Sequence, residues 1–271
     1  DVCRQCSQTY RIGRSLPHAR LLVLRDGNGG DFSWFGVACD LVRDAGAGVG
    51  QRTREVVAFD GRIKPPPGCP PERFSSRRLM ANIPLDEHGD PVWFVDLATH
   101  ATGDRLLAVL KADVDSLGVQ IERRLDGRTE LTEFLRLADS LDAFFAEEMR
   151  QEIQRDQQWS TVYTVFAGGD DLVMIGPWDV VVRFAGRMRE LFSQRFPSLT
   201  LSAGVSLFKP KRPVKTAIEQ AERLLDEAKE GPKDQCAALG QVWNWQQHAV
   251  ILRDAERLAG WVGTNQIQRG W

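Results

Sequence analysis

Apolar and polar residues alternate along this chain in two regimes, with the change near residue 105. Upstream, LLVLRD (21–26) and FSWFGVACDLV (32–42) read as strands, and DGNGGD (26–31) reads as the turn between them. AGAGVGQ (45–51) and KPPPGCPP (64–71) read as loops, the second extended and polyproline-like. Residues 1–104 are thus expected to form a small β-rich linker module. Downstream, LLAVLKADVD (106–115) predicts a strongly apolar strand, followed by a short helix from about Ser116. Over 130–155, Leu131, Phe134, Ala138, Leu141, Phe145, Met149 and Ile153 recur at three- and four-residue spacing, which predicts a long amphipathic helix. TVYTVFAGGDDLVMIG reads as strand-turn-strand. Asp179 is expected to cap the next helix, with Val182, Ala185, Met188, Leu191 and Phe192 buried. Then come a strand (199–208), a helix (213–229), two short strands (236–240 and 241–245) and a helix (246–260).

The first six downstream elements run β-α-β-β-α-β, the order of a ferredoxin-like split βαβ sheet. The expected class is α+β: a palm over 105–245, with 246–271 opening a C-terminal helical segment. Antiparallel order 4-1-3-2 sets the end of the first strand beside the tip of the hairpin between strands two and three. Asp113 and Asp115 lie at that strand end, and Asp170 and Asp171 at that tip. Periodicity alone therefore brings four carboxylates to one sheet edge.

Clustered carboxylates repel one another and raise their own pKa values, which a divalent cation relieves. Mg²⁺ takes one or two carboxylates and completes its octahedron with phosphate oxygens and water. Asp113 and Asp115 alternate to the same side of a strand; either could ligate, and Asp113 is favoured. Ser116, Leu117 and Gly118 lead into a helix N-terminus whose free amides suit a triphosphate. Gly168 and Gly169 would let a nucleotide approach the backbone, although Gly-Gly-Asp-Asp is also ordinary turn chemistry. DVDSLG begins like a calcium loop, but Leu117 and Arg124 stand where its fifth and twelfth ligands belong. Lys229 and Lys233, near a helix C-terminus, either complement its dipole or reach phosphate oxygens.

Composition narrows the rest. The 271 residues are 42% hydrophobic and 27% charged, with a formal net charge of −2, so any polyanion site must be local. No apolar run nears the roughly 18 residues of a membrane span. Five cysteines are few for the length and suit a reducing, cytoplasmic setting. The chain opens inside a C-x-x-C without a Met, which suggests a piece of a longer protein.

Four stretches in order, LAVLKADVDSLG (107–118), FAGGDDLVMIGPW (166–178), LSAGVSLFKPKRPV (201–214) and AERLLDEAKEGPKD (221–234), carry a resemblance. Together they resemble the cyclase palm of the large signature subunit of type III CRISPR effector complexes, with KADVDSLG and GPW closest to the III-A branch. Cys3-Arg4-Gln5-Cys6 and IGRSLPHARLL (12–22) resemble the region joining that subunit's two palms. The resemblance implies a palm that joins ATP 3′-to-5′ into cyclic oligoadenylates, with Mg²⁺ or Mn²⁺ held by Asp113, Asp170 and Asp171, which are then the catalytic set. It implies Gly168 and Gly169 against a nucleotide and Lys229 and Lys233 facing phosphates; Ser202 lies in the SAG segment. Implied partners are the other complex subunits, guide and target RNA, and a second palm. Related diguanylate cyclases carry Glu where Asp171 stands, which argues against that chemistry. No His-Asp dipeptide marks the family's nuclease domain, so DNA cleavage is not expected here. The alternatives are a non-catalytic palm scaffold that binds ATP and subunits, or a diguanylate-cyclase-like enzyme.

Other features stay bland. Cys3 and Cys6 have zinc-knuckle spacing and Cys39 and Cys69 could complete four ligands, yet free cysteines are favoured over structural zinc. GAGVG (46–50) lacks the flanking strand and helix of a phosphate loop, and KPKRPVK (209–215) reads as a solvated basic loop.

Overall fold

The computed structural model describes residues 3–44, 49–50, 52–60, 62–78, 82–119, 131–264 and 266. Most of the AGAGVGQ loop lies outside them. The chain divides into two compact units, Asp1–Val92 and Trp93–Trp271.

The first unit opens on a helix absent from the sequence reading, α1 (Arg4–Ser15). Its polar sequence RQCSQTYRIGRS carries too few apolar residues for a clear stripe. A five-stranded sheet follows, of order β2-β3-β1-β4-β5. Its strands are β1 (Leu21–Asp26), β2 (Phe32–Trp34), β3 (Val37–Val42), β4 (Thr53–Ala58) and β5 (Phe74–Ser76). The single strand expected over 32–42 is instead a hairpin. Phe35 (φ 48) and Gly36 (φ 77) form its two-residue turn, and left-handed φ at both central positions matches the twist of the paired strands. Leu21, Val23, Val56, Ala58 and Ile63 form this unit's core, with Cys69 and Phe74 packed against it.

The second unit begins with one helical turn, Phe94–Leu97, whose Leu97 is buried. Its sheet has order β11-β10-β9-β6-β8-β7. The strands are β6 (Leu107–Val114), β7 (Tyr163–Gly168), β8 (Asp171–Pro177), β9 (Leu201–Phe208), β10 (Gln235–Ala238) and β11 (Gln241–Asn244). The inner order β9-β6-β8-β7 is the expected antiparallel 4-1-3-2. β10 extends it in parallel beside β9, and β11 closes it antiparallel.

Among the described residues the longer helices of this unit are α2 (131–155), α3 (Trp178–Arg195), α4 (Val214–Glu230) and α5 (Trp245–Gly263). Odd-numbered β6 positions face α4. Lys111 and Asp113 reach its Glu222 and Lys229. Gly204, register partner of Lys111, lets α4 so close that a Cβ would stand 2.2 Å from Ala221 O. The opposite face meets α3: a Cβ on Gly176, register partner of Ala108, would lie 3.0 Å from Val181. Phe144, Phe145, Phe184 and Phe192 are fully buried, with Phe144 edge-on to Phe192 at 5.4 Å.

Two helical expectations shift. α2 is α-helical over Leu131–Ala143, makes a π-helical turn at Phe144–Glu148, and resumes over Met149–Arg155. That wide turn slips the helical phase, so Ala138 is exposed while Phe144 and Phe145 are both buried. Asp179 does not cap α3. Pro177 holds the N-cap position without a side-chain bond, and Asp179 lies in the first turn, buried and paired with Arg183 at 3.0 Å. The buried face is Val180, Val181, Phe184, Ala185, Met188 and Phe192 instead of one through Val182 and Leu191. α5 has an Asn244–Gln247 capping box and packs on α3, with His248 Nε2 3.1 Å from Val182 O.

Candidate active site at the acid-bearing sheet edge

β6 ends where the β7–β8 hairpin turns. Asp113 pairs in register with Asp171 on one side and with Ser202 on the other. Asp170 sits in the turn, its carbonyl accepting from Val114 N–H at 3.0 Å. Gly169 adopts φ +66 with open space where a Cβ would be, so the turn needs its backbone freedom and leaves its outer side clear. Its N–H points to Asp142 Oδ1 of α2 at 3.5 Å. Lys229, in the last turn of α4, brings Nζ to 2.6 Å from Asp113 Oδ1.

Burial raises the Asp113 carboxyl, Lys229 lowers it in part, and Asp170 and Asp115 add repulsion; the net direction is upward. Burial likewise raises Asp171, with repulsion from Asp170, Asp113 and Glu222 and partial relief from Lys111. These acids therefore feel one another through space, as a shared edge requires.

Asp115 corrects the alternation argument. The strand stops at Val114, and Asp115 turns inward, 3% exposed. Its N–H donates to Thr200 O at 2.8 Å and its Oδ2 accepts from Asp234 N–H at 3.0 Å. Ser116 (φ 55) follows, and its Oγ accepts from Lys233 Nζ at 2.6 Å. Leu117 and Gly118 start the expected helix, described here only through Val119. Asp115 Oδ1 and Ser202 Oγ are buried without a hydrogen-bond partner, so polar capacity remains beside Asp113.

Among the described residues no three acid, His or Cys side chains are drawn into a ready-made metal cage. A cation that takes most of its shell from phosphate and water needs no such cage, and the all-oxygen set of Asp113, Asp170 and Asp171 suits Mg²⁺ or Mn²⁺. Their mutual repulsion and the ammonium already on Asp113 fit an edge built for positive charge. The zinc knuckle finds no such support. Cys3 caps α1, its Sγ accepting from Cys6 N–H at 3.3 Å, whereas Cys39 is buried in β3 and Cys69 packs on the first unit's core.

Asp142, Arg189, Glu222 and Asp234 are site neighbours that the sequence reading did not include. Asp142 and Arg189 are single charges on helices outside the four quoted stretches and look like solvated surface, whereas Glu222 and Asp234 lie within AERLLDEAKEGPKD without a pattern that singles them out.

An antiparallel 4-1-3-2 sheet with acids at the first strand's end and on the adjoining hairpin defines a palm domain. Residues 106–237 match the family described as Cas10/Cmr2, second palm domain. The chain is 33% identical over 144 residues to a Methanocaldococcus jannaschii protein named CRISPR system single-strand-specific deoxyribonuclease Cas10/Csm1 (subtype III-A), covering 49% of this chain and 18% of that protein. A Mycobacterium tuberculosis protein of the same name is 29% identical over 206 residues, covering 69% of this chain and 24% of the other. In fold, the chain is similar to a Csm1–Csm4 subcomplex of the type III-A CRISPR-Csm interference complex, with TM-score 0.76, 23% identity and coverage of 92% and 38%. A Csm1–Csm4 cassette in complex with AMPPNP gives TM-score 0.71 and 23% identity, covering 88% and 37%. The chain thus spans about a fifth of the length of the curated relatives it matches. Residues 106–237 thus match a Cas10/Cmr2 second palm domain, and over this region the chain is similar to type III-A Cas10/Csm1 proteins.

Proposed function

We propose that this palm polymerises ATP into cyclic oligoadenylates within an RNA-guided type III-A antiviral complex. The observation that carries the reading is the in-register pairing of Asp113 with Asp171, with Asp170 in the adjoining turn and Lys229 on Asp113. Neighbouring folds support it: the Csm1–Csm4 cassette has been solved in complex with AMPPNP, with one ATP, with cA3 and with cA4. Its partners in this reading are a Csm4-like subunit, the remaining complex subunits, guide and target RNA, and a second palm.

Asp113, Asp170 and Asp171 would hold Mg²⁺ or Mn²⁺, which supplies charge stabilisation at the α-phosphate and the leaving pyrophosphate. Gly168 and Gly169 admit the nucleotide against the backbone, with Ser202 on β9 beside Asp113. Ser116, Leu117 and Gly118 receive phosphate oxygens at the turn, and Lys233 stands beside them. Lys229 exchanges its carboxylate partner for a phosphate oxygen when nucleotide enters. Orienting a 3′-hydroxyl in line with the next α-phosphate is then a task of positioning more than of covalent chemistry.

The test is the complete subunit complex with labelled ATP, Mg²⁺ and target RNA. Cyclic product is expected from the native complex and none from the double substitution Asp170→Ala with Asp171→Ala. Undiminished product from that variant refutes catalysis by these acids, and preference for GTP over ATP refutes the adenine assignment. The scaffold alternative binds ATP and subunits without chemistry, and it is favoured if the native complex shows magnesium-dependent ATP binding in calorimetry yet forms no cyclic product.

A further inference from the structure

Arg189 projects from α3 and grips Asp234 with both arms of its guanidinium: Nε to Oδ1 at 2.6 Å and Nη2 to Oδ2 at 2.8 Å. Asp234 belongs to the turn between α4 and β10. Both that residue and Lys233 hold left-handed φ, +54 and +62, a conformation that side-chain-bearing residues adopt only when their surroundings impose it. The same two residues touch the end of β6. Asp234 N–H donates to buried Asp115 Oδ2 at 3.0 Å, and Lys233 Nζ donates to Ser116 Oγ at 2.6 Å. Ser116 is itself left-handed, at φ +55. Two strained turns are therefore pressed together beside the acid edge, and the anchor comes from the helix on the far face of the sheet.

We infer that Arg189 is a positioning residue, which through Asp234 locks the turn so that Lys233 is held against the β6 end. A planar fork gripping both carboxylate oxygens fixes direction as well as distance, which a lysine at that position could not do. The Arg189 side chain is 15% exposed, so the pair is shielded from the water that weakens surface ion pairs. β10, the strand this turn leads into, pairs in parallel with β9 from Cys236 to Ala238. The turn runs from the end of α4 at Glu230 to β10 at Gln235, and Arg189 grips its last residue, Asp234, next to Lys233. That Lys233 faces phosphate rests on the nucleotide reading above; the locking of the turn does not.

Two measurements on the assembled complex test this separately. The first is amide hydrogen exchange without nucleotide. Arg189→Ala should speed exchange at the Asp234 amide about tenfold or more while the rest of α3 stays protected, and Arg189→Lys should give a smaller effect. Unchanged exchange at that amide overturns the inference, whatever the complex does with ATP. The second is kinetic. Arg189→Ala should raise the KM for ATP roughly tenfold with little change in kcat, and the rise should nearly vanish in a Lys233→Ala background. An Arg189 effect that multiplies undiminished on Lys233→Ala overturns action through Lys233. If the native complex neither binds ATP nor forms product, the functional proposal fails, and the exchange result still decides the role of Arg189.

Discussion

Lys229 Nζ lies 2.6 Å from Asp113 Oδ1, so an ammonium from α4 already partly neutralises the acid edge. Lysine is the main influence holding down a carboxyl that burial pushes up. Replacing it with an apolar chain of similar length, Lys229→Met, should raise the Asp113 pKa further. Carboxyl-carbon NMR titration reads this directly, and an unmoved Asp113 titration contradicts the arrangement.

Asp171 gives a prediction about stability and pH. Its folded pKa stands above the ordinary carboxylate value of 3.8, so the folded state holds this proton more tightly than the unfolded one. Its contribution to stability is therefore most favourable below that ordinary value and is lost as pH rises through the raised folded pKa. Asp171→Asn should stabilise the metal-free palm at pH 7 by at most about 1 kcal/mol, because the carboxyl is partly open to screening water. The gain should disappear below about pH 4. Thermal melts at the two pH values check it; equal gains at both would contradict the assignment.

The ion pair between Lys111 and Glu222 offers two opposite tests on the same carboxyl. Lys111 lowers the Asp171 pKa and Glu222 raises it. If deprotonated Asp171 is needed for magnesium-dependent ATP binding, Lys111→Met should move the acid limb of the binding profile to higher pH. Glu222→Gln should move it lower. Calorimetry across pH 4 to 7 measures both, and shifts of the same sign would break the link.

Two glycines should fail for different reasons. A methyl on Gly204 meets Ala221 O at 2.2 Å and Leu225 N at 2.4 Å, both backbone atoms that cannot step aside. Gly204→Ala should cost about 3 kcal/mol or more in denaturant unfolding. Gly169→Ala meets nothing within 4 Å but must hold φ +66, so it should cost only about 1–2 kcal/mol.

Thiol chemistry should divide the cysteines. Cys3 and Cys6 are exposed, while Cys236 is fully buried with its pKa pushed up to about 12. Iodoacetamide should label the first two in the native protein and Cys236 only after unfolding.

How much of this was legible follows from where each signal resides. The palm order could be read because LAVLKADV is apolar on both faces except at Lys111 and Asp113, and because Gly-Gly-Asp-Asp interrupts two apolar runs. The β2–β3 hairpin was hidden: its turn is Phe35-Gly36, and Phe35, 89% exposed, looks like a continuing strand. The inward turn of Asp115 depends on Thr200 and Asp234, partners that only the folded chain brings near. Arg189 and Asp142 were illegible for the same reason. Each is one charge on an amphipathic helix, given meaning by a contact 45 or 27 residues away.

The π-helical turn at Phe144–Glu148 gives α2 two halves out of phase. The downstream half is phased to the phenylalanine core, while the upstream half carries Asp142 to the Gly169 amide. One residue subtends about 100° of an α-helix. Deleting a single residue there would restore regular winding and rotate everything upstream of it, so that Phe144 and Phe145 would leave the core along with Asp142 leaving the hairpin. The extra residue of this turn thus ties the aromatic core and the acidic rim to one helical phase.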